Sequence, residues 1–105
     1  MEEELALELD PPDGVEEAET AVEVLRAWIG DGALLVSLNS SAFGSEVHDW
    51  GRLLAEIGQH VARSAALNGY MSEEAAQGAL REAFVAVFET GPGPTSGKLR
   101  GQIKH

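Results

Sequence analysis

Ala21-Val-Glu-Val-Leu-Arg-Ala-Trp-Ile29, then Gly30-Asp31-Gly32, then Ala33-Leu-Leu-Val-Ser-Leu38: this stretch decides the fold. Its flanks are rich in β-branched, aromatic and aliphatic residues, and the residues between them form a strong turn signal of the kind that joins two strands. A β-hairpin is predicted. Alternation places Val22, Val24, Arg26 and Trp28 on one face of the first strand and Ala21, Glu23, Leu25, Ala27 and Ile29 on the other. Neither face is cleanly polar, so both should be partly covered.

Downstream the hydrophobic period changes. Asn39 to Gly44 reads as a loop, Ser45 is the expected N-cap, and Glu46 and Asp49 suit the positive end of a helix dipole. Val47, Trp50, Leu54, Ile57 and Val61 then recur at steps of three and four, which is one face of a long helix ending near Asn68-Gly69. Ser72, followed by Glu73 and Glu74, caps a second helix. Its apolar face is Ala76, Leu80, Phe84, Val87 and Phe88, and Gly91-Pro92 stops it. So short a link makes the helices antiparallel neighbours. Gly51 and Gly58, with Ala62 and Ala65 beside them and Ala76, Ala79 and Ala83 opposite, suggest a close approach of the two backbones.

Upstream, Leu5, Leu7 and Leu9 alternate before Asp10-Pro11-Pro12-Asp13-Gly14 breaks the pattern, so a third, N-terminal strand could join the hairpin. The expected architecture is α+β: a β-hairpin packed on two antiparallel α-helices in two layers. Residues 1–19 form an acidic, partly extended lead-in, 20–90 a single domain and 91–105 a flexible Gly/Pro-rich basic tail.

The 105 residues suffice for one hydrophobic core. With no cysteine, the fold must be held without disulfides, and thiolate zinc sites and cysteine nucleophiles are excluded. The net charge of −11 opposes nucleic-acid binding, which needs clustered Lys and Arg. Nine acids and no base fall within residues 1–19, whereas Lys98, Arg100 and Lys104 lie in an acid-free tail. No apolar run is long enough to span a membrane, and Met1-Glu2-Glu3-Glu4 is unlike a secretory signal, so a cytoplasmic protein is expected.

Catalytic motifs are sparse. His48 and His60 sit twelve residues apart on the first helix, roughly 18 Å along its axis, too far to share a metal. Ser41-Ala-Phe-Gly-Ser45 matches a nucleophile elbow only loosely, Gly30-Asp31-Gly32 is too short to cradle a phosphate, and Glu2-Glu3-Glu4 lacks the spacing of a calcium loop. No cofactor and no metal are expected. The one polar stripe worth weighing is Arg52, Glu56, His60 and Arg63 on the first helix. Two guanidiniums there could receive an anion and the imidazole could move a proton, although a salt-bridged solvent face is the commoner outcome.

Val22-Glu-Val-Leu-Arg-Ala-Trp-Ile29, Trp50-Gly-Arg-Leu-Leu-Ala-Glu-Ile57, His60-Val-Ala-Arg63 and Leu80-Arg-Glu-Ala-Phe84, taken in this order, resemble the bacterial family known as domain of unknown function 5076. The likeness spans roughly residues 5 to 95 and includes the Pro-Thr after the last helix. It implies a small bacterial cytoplasmic protein with no established activity, so no site residue is carried over. Val85-Ala-Val-Phe-Glu89 is more apolar than this region of the family suggests.

A two-stranded hairpin is marginal in water and leaves strand edges open. Cover could come from the leucines of the lead-in or from a second copy pairing across a two-fold axis. The leading expectation is therefore a non-enzymatic interaction module that forms a homodimer, with room for a further protein partner. The alternatives are a small-ligand binder or small enzyme using the stripe on the first helix, or an acidic partner of a basic protein.

Overall fold

The computed structural model describes residues 7–91. Strand β1 (Leu25–Gly30) pairs antiparallel with β2 (Ala33–Leu38), and helices α1 (Val47–Leu67) and α2 (Glu73–Thr90) follow. The hairpin and the helix pair make an α+β fold, as the change of hydrophobic period predicts, but the expected two-layer packing is not seen: among the described elements strand meets only strand and helix only helix.

Turn chemistry fixes the hairpin register. Asp31 (φ 51°) and Gly32 (φ 80°) both occupy the left-handed region, and Gly30 faces Ala33 across a two-residue loop. That is the twist-matched turn that suits tightly joined strands, and it tolerates aspartate first and glycine second. The register runs from Leu25↔Leu38 to Gly30↔Ala33. Leu25, Ala27, Ile29, Leu34, Val36 and Leu38 therefore share one face, and Arg26, Trp28, Ala33, Leu35 and Ser37 the other. Gly30 makes room for Leu35: a Cβ there would stand 3.0 Å from the Leu35 Cδ1.

The first strand begins at Leu25, later than the β-branched run from Ala21 suggests. Residues 21–24 carry no strand assignment, although the Asn39 N–H still donates to the Val24 carbonyl at 2.9 Å. The third strand is not seen. Leu5 lies outside the described residues, and Leu7 and Leu9 are exposed in irregular backbone. Residues 15–20 are exposed turns, held locally by the Ala18 N–H bonding to Gly14 and Val15.

Helix α1 does not begin as Ser45 suggested. Glu46 occupies the N-cap, and no side chain caps the free N–H groups. The first turn is instead anchored by packing, with the ring of Phe43 edge-on to Trp50 at 5.0 Å. The far end follows the sequence signal closely. Gly69 (φ 77°) donates to Ala66 and Tyr70 to Ala65, a pair of reverse bonds that satisfies the last carbonyls and ends the helix. The link to α2 is short. Ser72 caps the second helix, its hydroxyl accepting from the Ala75 N–H at 3.0 Å.

Ala33, Ala62 and Ala76 are the described residues that reach full burial. Ala62 and Ala76 mark where α1 and α2 meet, with Arg63 and Glu73 at 3.7 Å beside them. From Arg81 to Thr90 every residue of α2 is exposed, so close helix packing is confined to its first half. The approach expected around Gly51 and Gly58 is not made among the described residues, because a Cβ at either position would meet nothing of theirs within 4 Å.

Two substitutions test these local anchors at fixed protein concentration. Ser72→Ala should lower unfolding stability by about 1 kcal/mol through the lost cap. Gly32→Ala should cost about 1–2 kcal/mol by forcing a Cβ into the left-handed turn. Both are read from the shift of a urea midpoint followed by far-ultraviolet circular dichroism.

Candidate functional site

The polar stripe of α1 sets an imidazole and a carboxylate between two guanidiniums. Arg52, Glu56, His60 and Arg63 all emerge exposed on one side of α1. The Arg52 Nη1 donates to Asp49 Oδ1 at 3.1 Å, and Arg63 lies against Glu73. Each guanidinium is thus matched to an acid on its own helix or the next, and their mutual position is set by helix geometry alone. His60 borders a shallow apolar depression with Ile57, Val61, Ser64, Ala65 and Tyr70. Arg52, Glu56 and Arg63 are not among its lining residues.

A second polar cluster gave no sequence signal. Arg26, on β1, donates through Nε and Nη2 to both carboxylate oxygens of Glu23, at 2.9 and 3.0 Å. Its Nη1 reaches Glu8 at 2.6 Å, eighteen residues earlier in the chain. The hydrogen bonds Arg26 donates to Glu23, then the one it donates to Glu8, push the guanidinium's pKa above its usual value. Glu23 and Arg26 lie three apart and could be paired on paper, but no periodicity links Glu8 to either. The contact ties the acidic lead-in across β1. A cleft opens beneath it, lined among others by Leu9, Pro12, Val22, Leu25, Ala27 and Trp28.

The third feature is apolar. Val47, Leu54, Ile57 and Val61 stand exposed along α1 at steps of seven, three and four, and Phe84, Val85, Val87 and Phe88 along the second half of α2. Phe84 and Phe88 touch each other, ring centroids 5.1 Å apart, rather than a covering layer. The sequence did place all of these but Val85 on apolar helix faces; what it could not show is that the faces are left open. Among the described residues no three His, Asp or Glu side chains gather as a metal-binding group, and no helix is long and apolar enough to cross a membrane.

Comparison with known proteins adds a family. The model of Domain of unknown function (DUF5076) matches residues 8–91. The chain belongs to this family. A solved structure from the photosynthetic bacterium Rhodopseudomonas palustrus CGA009, provisionally named a pyruvate dehydrogenase, is 36% identical with a TM-score of 0.65. The match covers 86% of this chain and 91% of that one. No curated protein matches the chain. The DUF5076 match takes in the hairpin, both helices and the lead-in from Glu8, so the Arg26 tie and the open helix faces both lie within the family region.

The tie has a direct test. Arg26→Gln should release the lead-in, so limited proteolysis within residues 10–20 should become several-fold faster while cleavage within α1 and α2 is unchanged. The ends of the fragments are read by mass spectrometry.

Proposed function

We propose that this member of DUF5076 is a non-enzymatic protein-interaction module that self-associates. One observation carries the reading: full burial is reached by Ala33, Ala62 and Ala76, while the large aliphatic and aromatic side chains of both helices remain at least partly in water. Fully burying one Val, Leu, Ile or Phe side chain contributes about 1.5–3 kcal/mol, whereas an alanine methyl contributes a fraction of that. Three alanines cannot offset the backbone entropy of ordering some eighty residues, at about 1–2 kcal/mol each. The helix pair gains what it lacks when its exposed faces meet another protein surface, and exposed apolar patches of this kind mark interaction sites.

The polar stripe supports the same reading. Arg52 and Arg63 are engaged by Asp49 and Glu73, and Arg52, Glu56 and Arg63 do not line the shallow depression beside His60. The provisional name of the Rhodopseudomonas protein belongs to that protein.

Gel filtration with multi-angle light scattering, at micromolar concentration, should give the mass of two chains. Dilution into the nanomolar range should lower the melting temperature, because folding and association are coupled. A one-chain mass with a concentration-independent melting temperature would refute self-association.

A further inference from the structure

We infer that the open face of the helix pair is the seat for the same face of a second copy, so that two αα-hairpins complete a four-helix bundle. This rests on the self-association proposed above and names its surface. The face consists of Val47, Leu54, Ile57 and Val61 on α1 with Phe84 and Phe88 on α2.

The spacing on α1 asks for a helical occupant. Val47, Trp50, Leu54, Ile57 and Val61 alternate steps of three and four, the pattern by which one helix packs along another at a shallow angle. Gly51 and Gly58 flank this seam one position on from Trp50 and Ile57. Each costs roughly 1 kcal/mol relative to alanine inside a helix. Among the described residues nothing comes within 4 Å of a Cβ at either glycine, so their packing does not account for them. A backbone approaching from outside would.

Residues 1–6 and 92–105 offer little apolar cover. Outside the described residues, Met1, Leu5, Leu99 and Ile103 are the large apolar side chains, scattered among acids in the head and among Lys98, Arg100 and Lys104 in the tail. Four such residues cannot fill a face built from two helices. A second copy brings the matching face in full, and a two-fold axis closes the assembly with the same patch used on both sides.

The exposed apolar area suits the centre of an interface. The six residues are between 37% and 75% exposed. At roughly 150–250 Å² for a fully exposed aromatic side chain, and somewhat less for an aliphatic one, they and the exposed residues around them present several hundred Å². A standard interface takes about 800 Å² from each partner, its centre apolar and depleted of charge. None of the six carries a charge.

The experiment uses the full chain. Leu54→Glu combined with Ile57→Glu should weaken association by roughly 100-fold or more, giving a one-chain mass at a concentration where the parent gives two. Ile29→Glu, on the exposed hairpin face, should keep the two-chain mass. Because the double variant could fail to fold, single cysteines in this cysteine-free sequence supply a second readout. Gly51→Cys, Leu54→Cys or Gly58→Cys should form an interchain disulfide under mild oxidation, since such bonds need Cα atoms within about 7 Å, and Ala27→Cys should not. A two-chain parent whose mass is insensitive to the seam variants, or which cross-links only through Ala27→Cys, would overturn the surface and leave self-association standing. A one-chain parent would overturn both.

Discussion

The packing of α1 on α2 is governed by the size of the side chains where they meet. Ala62 and Ala76 present single methyl groups at the contact, which lets two helices come close but removes little apolar surface from water. Everything beyond that point follows from it. Past Leu80 the second helix loses the cover of the first, and its remaining residues are exposed. The larger side chains, Leu54 and Ile57 on one helix and Phe84 and Phe88 on the other, therefore line an opening instead of filling a core. Close contact and a well-filled interior are separate achievements, and this chain shows the first without the second.

The hairpin is organised differently. Its strength is local: a two-residue turn with both φ angles positive, a glycine that clears space for Leu35, and an arginine held by two carboxylates. Such features specify register well while contributing little burial, since ion pairs this exposed are worth little in water. Hairpin and helix pair are each well defined in backbone and each lightly packed. Under the proposed self-association, their joint stability rises with the surface they cover.

Much of this was legible from residue types. Gly69 and Ser72 marked one helix end and one helix start, and the structure uses both through the expected hydrogen bonds. Asp31-Gly32 marked the turn for the same reason, because few residue pairs accept that conformation. Ser45 does not serve as the cap: Glu46 takes that position without a side-chain hydrogen bond, and Phe43 meets Trp50 edge-on at the entry to α1. The Glu8 contact to Arg26 was invisible, since a bond across eighteen residues depends on how the lead-in folds back and leaves no periodic trace. The glycines of α1 read as a sign of close approach, yet among the described residues nothing comes within 4 Å of a Cβ at either one. The stripe from Arg52 to Arg63 was legible as a single helix face. Of the partners that engage it, Asp49 could be found by spacing, whereas Glu73 is brought there by tertiary packing.

The uncharged character of the exposed helix face has a bearing on how ionic strength would act. The chain carries a net charge of −11, so two copies repel each other at long range, while none of Val47, Leu54, Ile57, Val61, Phe84 and Phe88 can form an ion pair across a junction. Added salt screens the repulsion over a Debye length of about 10 Å at 0.1 M and takes nothing from the apolar contact. Assembly through this face would tighten as salt is raised, the reverse of an interface joined by opposite charges. In brine the face would be more fully occupied than in fresh water.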